Sequence, residues 1–465
     1  MSPELKRNLW LEFTASRVLI MTAVIALATF GVYLITNEGS AAVTDATFGP
    51  LEGLGLAGFV FITILWGSRN AARSVIGEMR ERTWDFQRIS AISPLSMTYG
   101  KLFGSTIYTW YGGLLCLAIA TPGMAAENGM GYVVRMCGVY VASGLLGHSV
   151  AMISALATAR RRRADARLAI FPHQAAGLIA ALAPLIVATS ALESTYALME
   201  RDWIPWWSFS ISPRTLVLGS TFAFAAWAIV GCWREMRLEL MERNAPIVWP
   251  AFLAFIVIYV LGFQSTMAIL PPPGPEFAPL IVVFAYVAVM VAAYASLIIE
   301  PKNTVELRGY GAALMSGRLG EIVRGMPAYG WAFLVAILVA FAVVTSDPIP
   351  MPDNVDHLQI NRLVVFAGLG FLARDIGIFH FFHARPGQKR GDFAALVTIA
   401  LMFVLGSGFS GAADSETLAA AFFPHPLAAS WTVALPWIQA GVVWMLAINR
   451  YRGVRTAPNG SPAIA

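Results

Sequence analysis

Twelve stretches of about twenty apolar residues, one after another, take up more than half of this 465-residue chain. A helix needs roughly 20 such residues to cross the hydrocarbon core of a bilayer. In lipid a backbone can satisfy its own N–H and C=O groups only as a helix or a closed barrel. The stretches lie near Val18–Ile35, Leu54–Ala72, Leu102–Thr121, Met136–Thr158, Leu168–Ser190, Thr215–Trp233, Ile247–Leu270, Phe277–Ile299, Met326–Thr345, Ile360–Phe382, Phe393–Gly411 and Ala428–Ile448. Charged residues make up 13% of the chain, about half their share in an ordinary soluble domain, and mean hydropathy is +0.66. The expected fold is an all-α polytopic membrane protein of about 12 transmembrane helices, and a soluble enzyme is excluded.

Lys and Arg are unevenly shared between the connections. With the N-terminus inside, the Arg160–Arg163 cluster, Arg234, Arg237, Arg308, Lys389 and Arg390 fall on the cytoplasmic side, as do 28 of the 32 Lys and Arg in all. Arg135, Arg201, Arg214 and Arg362 are left outside. A bias of this kind sets orientation, so both termini are expected in the cytoplasm. The outer connections collect acids instead, among them Glu38, Glu127, Asp202, Asp353 and Glu416. Topology thus accounts for the net charge of +5, which carries no reading of nucleic-acid binding. The first apolar run lacks a small-residue cleavage site and reads as a retained span rather than a signal peptide. Cys116, Cys137 and Cys232 lie in apolar stretches with no paired spacing and read as small core residues. Trp203, Trp206 and Trp207 precede the sixth span, either in the outer interface, where indoles favour the headgroup layer, or in a packed loop.

Twelve spans invite division into two sets of six, the plan of many transporters. In each half a long connection, Arg73–Lys101 and Glu300–Gly325, follows the second span. Residues 1–17 read as an amphipathic N-terminal helix, 18–245 as the first half with its loop at 78–101, and 246–455 as the second with its loop at 300–325. Residues 456–465, rich in Pro, Gly and Ser, read as a disordered tail.

No GxxxxGK[ST] pattern occurs, so the chain is not expected to hydrolyse ATP itself. His380 and His383, three apart, could share a helix face and bind a metal. With no carboxylate or cysteine between them, interfacial imidazoles are the plainer reading. Charged groups in lipid are costly and carry a functional hypothesis by default. Arg374 and Asp375 are adjacent in the tenth span. Adjacent helix positions do not face each other, so both are expected to pair with other helices or with water near the inner membrane edge. Arg135 and His148 lie on the fourth span, and interhelical pairing or snorkelling is the simpler account of both. The scatter of these groups makes no proton relay.

The first long inner connection is the most informative segment. It is charged through Glu78, Glu81 and Arg82, then mixes Thr83, Trp84, Asp85, Phe86, Ile89 and Ile92, which suits a short helix on the membrane surface. Ser93 before Pro94 makes an N-cap with proline as the first residue of the next helix. Trp84 and Phe86 read as aromatic anchors for a partner, and Glu81, Arg82 and Asp85 as its charged contacts.

This segment resembles the loop of permease subunits of the type-2 ABC transporter family. There a charged Glu/Arg stretch leads to Gly-Thr-(Leu/Trp)-(Glu/Asp), a leucine-rich turn, Thr-Pro-Leu-Ser-Pro and a later Gly-Lys. Thr83, Trp84, Asp85, Ser93, Pro94, Gly100 and Lys101 match without a gap. Arg82 stands where the family usually has glycine, and Ala91 where it has the first proline. Pro3–Arg7 also resembles the family's amphipathic connecting helix. In the second half the Glu300–Pro327 segment keeps its length, the leading Glu300 and Gly320 but little else of the pattern, so it is a degenerate counterpart, with Leu307 at the position equivalent to Trp84. The resemblance implies a fused permease of an ATP-driven exporter in a bacterial inner membrane. It implies no cofactor in this chain, with ATP and Mg held by a separate P-loop ABC ATPase, in two copies, that docks unequally on the two loops. The competing expectation is a twelve-span secondary transporter, against which stand the long amphipathic connection and the lack of convergent midplane carboxylates.

Overall fold

The computed structural model describes residues 3–36, 45–90, 92–161, 169–190, 203–242, 244–267, 279–300, 302, 304–346, 362–384, 391–425 and 429–453. Among these the chain is helical apart from one two-stranded hairpin, β1 (Ile204–Trp206) with β2 (Phe209–Ile211). Eleven helices are long and apolar enough to cross a membrane, and a bent helix pair brings the number to 12. The described part of each of the twelve apolar stretches lies largely on one of these helices, which makes the chain a multi-pass helical membrane protein. Its tail at 456–465, Ala91, and Arg162 and Arg163 of the basic cluster lie outside the described residues.

The chain divides into two compact units, residues 1–204 with 210–244, and residues 205–209 with 245–465. The first unit runs α1 (Pro3–Glu12), α2 (Ala15–Thr36), α3 (Asp45–Phe59), a π-helix (Val60–Trp66), α4 (Gly67–Arg80), α5 (Trp84–Arg88), α6 (Pro94–Gly104), α7 (Ile107–Asn128), α8 (Met130–Arg161), α9 (Phe171–Ser190) and α10 (Pro213–Glu239). The long, mostly buried α8 is its axis, packed by α4, α9 and α10. Two apolar clusters build the core. One is centred on Phe59, whose ring meets Tyr140 edge-on at 5.5 Å. The other is made largely of alanines and methionines, including Ala71, Ala72, Met97, Ala155 and Met236.

The third span departs from the sequence reading. The apolar span Leu102–Thr121 is not one helix: α6 and α7 meet at 48° across Ser105 and Thr106. The Ser105 hydroxyl donates to the Lys101 carbonyl at 2.6 Å and the Thr106 hydroxyl to the Leu102 carbonyl at 2.7 Å. Hydroxyls bonded to carbonyls one turn back compete with the backbone and bend helices.

The second unit holds α11 (Val248–Leu261), α12 (Gln264–Met267), α13 (Leu280–Ile299), α14 (Thr304–Met315), α15 (Leu319–Gly325), α16 (Ala328–Thr345), α17 (Val364–His383), α18 (Gly391–Ala412), α19 (Glu416–Ala420), a 3₁₀ turn (Ser430–Val433) and α20 (Ala434–Gly453). Here α17 is the buried axis. On α20, Trp437 and Trp444 donate their indole N–H to the carbonyls of Phe366 at 2.9 Å and Ala373 at 3.0 Å. Both pairs repeat at a spacing of seven, so one stripe of α20 follows α17 in register. Trp206 donates to the Tyr259 carbonyl at 3.2 Å and the Trp207 amide to the Gly262 carbonyl at 2.7 Å. Those two tryptophans therefore belong to a packed loop against α11.

Candidate functional site: the 78–101 connection and its supports

The connection begins with a helix stop. The Thr83 amide donates to the Glu78 carbonyl at 2.9 Å and the Arg82 amide to the Met79 carbonyl at 3.2 Å, the paired bonds of a Schellman ending whose left-handed residue is usually glycine. Here that residue is Arg82, at φ 60°. Arginine thus adopts a left-handed conformation that costs a side-chain-bearing residue more than it costs glycine.

The five-residue α5 follows, and its faces divide sharply. Trp84 turns inward, 5% exposed, into the cluster of Ala71, Val75, Ile76 and Met97. Its indole N–H donates to Glu239 Oε2 at 3.2 Å, and Arg88 Nε donates to the Glu239 carbonyl at 2.9 Å. The reading of Trp84 as an exposed anchor is therefore corrected: α10 supplies a carboxylate that draws the indole into the chain's own core. Phe86 and Ile89, 72% and 83% exposed, take the outward positions beside exposed Glu81, Arg82, Thr83 and Asp85. Asp85 and Arg88 sit one turn apart at 3.4 Å, a solvent-screened pair of little energetic weight.

Ser93 caps α6 as the sequence suggests. Its side chain accepts from the Ser96 amide at 3.3 Å, and Pro94, buried, is the first helical residue. Gly100 and Gly104, one turn apart on α6, are the saddle for α1. A Cβ on Gly100 would lie 2.6 Å from Glu4 Cβ, and one on Gly104 2.8 Å from Asn8 Cβ. Asn8 Nδ2 donates to the Gly100 carbonyl at 3.2 Å.

Lys101 ties these parts together. Its side chain is 1% exposed; the ammonium pairs with Glu78, lies 3.5 Å from Glu4 and donates to the Ser74 carbonyl at 3.2 Å. It also faces the Trp84 ring at 5.2 Å. Arg7 reaches both carboxylates, Glu4 at 3.0 Å and Glu78 at 2.9 Å, and Gln87 donates to Glu78 at 2.6 Å. Glu78, Gly100 and Lys101 thus hold α1, α4, α5 and α6 to one another and are not available as partner contacts. A buried lysine is tolerable because two carboxylates and an aromatic face surround it.

The second connection is built differently. Glu300 accepts the Ala328 amide at 2.7 Å, so it caps the start of α16 instead of facing outward. Leu307 lies on α14, and its side chain is outside the described residues. Among the described residues here, Met315, Leu319 and Val323 are exposed apolar side chains, the first two 95% and 74% exposed. Lys302, 1% exposed, lies 3.3 Å from Asp392 and faces the Phe379 ring at 4.6 Å.

The intramembrane charges are corrected too. Arg374 and Asp375, both fully buried, pair with each other at 2.8 Å despite their adjacency. The arginine is long enough to fold back on the next carboxylate, a reach that a rule about Cβ positions misses. Other helices complete the network, as expected. Tyr294 on α13 donates to Asp375 at 2.9 Å, and Arg374 donates to Gln439 on α20 at 2.9 Å. The pair lies halfway along α17 rather than at its end. Arg135 is half-buried near the start of α8, and His148 is buried with Nε2 donating to the Thr63 carbonyl at 2.7 Å. His380 bonds the Tyr329 hydroxyl at 3.0 Å and His383 lies 3.4 Å from Asp392. Among the described residues no three His, Cys, Asp or Glu side chains converge to hold a metal. Compared with family models, with curated proteins and with solved structures, the chain matches none.

Proposed function

We propose that this chain is the transmembrane permease subunit of an ATP-driven exporter of the type-2 ABC kind, in a bacterial cytoplasmic membrane with both termini inside. The observation that carries the reading is the 81–90 connection. It is fastened through Trp84, Arg88 and the Lys101 cluster, yet it turns Phe86 and Ile89 outward among charged residues. A rigid, partly apolar projection is a poor ending for a helical hairpin and a good docking element, because aromatic anchors on a fixed backbone lose little entropy on binding. The separate partner supplies ATP hydrolysis and Mg. This chain supplies the spans and passes movement of the connection to α4, α6 and α1 through the Lys101 cluster. The unequal build of the second connection supports unequal docking of two ATPase copies.

The test is co-expression with a P-loop ATPase encoded beside this gene and affinity capture through the membrane chain. The reading requires capture that falls with Phe86→Ser and ATP turnover only when both chains are present. Turnover by this chain alone, with contamination excluded, sinks it. Orientation is tested by cysteine labelling in intact cells, with position 82 protected and position 414 labelled from outside. The secondary-transporter reading has one observation in its favour, the charged pair in mid-span on α17. It requires a substrate gradient to drive uptake by the chain without any partner.

A further inference from the structure

The span made by α3 and α4 is not a uniform helix. Between them Val60–Trp66 form a π-helix, in which the Gly67 amide reaches the Ile62 carbonyl five residues back. Such turns are rare and gather at functional sites. This one is gripped from three neighbouring helices. His148 on α8 donates Nε2–H to the Thr63 carbonyl at 2.7 Å, and Gln174 on α9 donates to the Leu65 carbonyl at 3.1 Å. The Thr63 hydroxyl donates to the Thr109 carbonyl of α7 at 3.1 Å. The close approach of the imidazole depends on Gly67, since a Cβ there would lie 2.2 Å from His148 Nε2. Trp110 meets the His148 ring at 5.3 Å and 74°.

A π-turn holds one residue more than an α-turn through the same angle. The extra residue therefore fixes the rotational phase of everything beyond it. In the present setting α4 turns Ala71, Ala72, Val75 and Ile76 into the core and Glu78 onto Lys101. If the turn relaxes to α with α3 in place, α4 rotates by about 100° and advances by about 1.5 Å. Gly77 then takes the place of Glu78, and the 81–90 connection moves with it. We infer that residues 60–66 are a register switch for α4, locked in its present setting by the side-chain bonds of His148 and Gln174. The inference concerns this chain alone and needs no ATPase, so its failure is distinct from failure of the proposed function.

Register is read by cross-linking in isolated membranes. In a chain with Cys116, Cys137 and Cys232 replaced by Ala, a short bis-maleimide is applied to Glu78→Cys with Lys101→Cys, or to Gly77→Cys with Lys101→Cys. With His148 and Gln174 present, the 78–101 pair links and the 77–101 pair does not. With His148→Phe and Gln174→Leu the preference passes to 77–101. Deleting Ile62 from that variant returns it to 78–101, because an α-turn one residue shorter keeps the original phase. Persistence of 78–101 linking without the two side chains, or failure of the deletion to restore it, overturns the inference. If the double variant does not accumulate, deletion of Ile62 alone decides, since it must leave 78–101 linking intact.

Discussion

Replacing Trp84 by alanine should destabilise the membrane chain itself, before any partner is present. The indole is 5% exposed and donates to a carboxylate that is itself 1% exposed. Truncating a buried tryptophan costs about 3–5 kcal/mol in core series. The lost hydrogen bond to Glu239 is of the charged kind, worth about 1.5–3 kcal/mol. The two effects share one site and do not add in full, so we expect about 4 kcal/mol for Trp84→Ala and about 2 kcal/mol for Trp84→Phe, which keeps one aromatic ring, leaves a smaller void and loses the donor. The assay is equilibrium unfolding of the purified protein in mixed micelles as a function of denaturing detergent, followed by loss of helical circular dichroism. A cost below about 1 kcal/mol for the alanine variant, with ATPase capture nonetheless lost, would show that Trp84 faces a partner and that its burial here is mistaken.

Arg82→Gly should stabilise the chain by about 1 kcal/mol in the same unfolding assay, because a left-handed backbone is costly for arginine and free for glycine. Lys101→Met should cost about 3 kcal/mol by taking the buried cation from Glu78 and Glu4, which are left with Arg7 and Gln87, and Glu78→Gln in that background should recover part of it; strictly additive costs would dissolve the pairing. Phe86→Ser should leave stability within about 0.5 kcal/mol while lowering partner capture, and an unchanged capture would remove Phe86 from the docking surface. Gly100→Val should lift α1 from α6, seen as faster proteolysis near Trp10, whereas unchanged cleavage would mean that α1 does not rest on the glycine saddle.

What the sequence revealed was local. Twelve spans follow from run length, and the cap at Ser93 and Pro94 follows from three neighbouring residues. The inward turn of Trp84 depends on Glu239, 155 positions away, so no window along the chain contains it. Arg82 carries no local signal of its left-handed backbone, because arginine is a residue that rarely adopts it, and only φ reveals it. The π-turn leaves no mark in the hydropathy period, because Val60–Trp66 are as apolar as an ordinary span. Arg374 and Asp375 were legible as intramembrane charges but not as a pair, since side-chain length outweighed the geometry of adjacent positions.

The network around Arg374 also bears on how the chain is made. An ionised arginine or aspartate at the centre of a helix disfavours membrane insertion by about 2.5–3.5 kcal/mol each on translocon scales. Their mutual pairing offsets part of that cost, but the hydroxyl of Tyr294 comes from a span synthesised before α17 and the amide of Gln439 from α20, synthesised after it. During synthesis, α17 therefore enters the bilayer with one partner waiting and the other not yet made. Its final seating is coupled to arrival of α20, whose Trp437 and Trp444 bond the same helix. A chain truncated before α20 should hold α17 loosely and be cleared by membrane quality control, which makes α20 a checkpoint for assembly of the second unit.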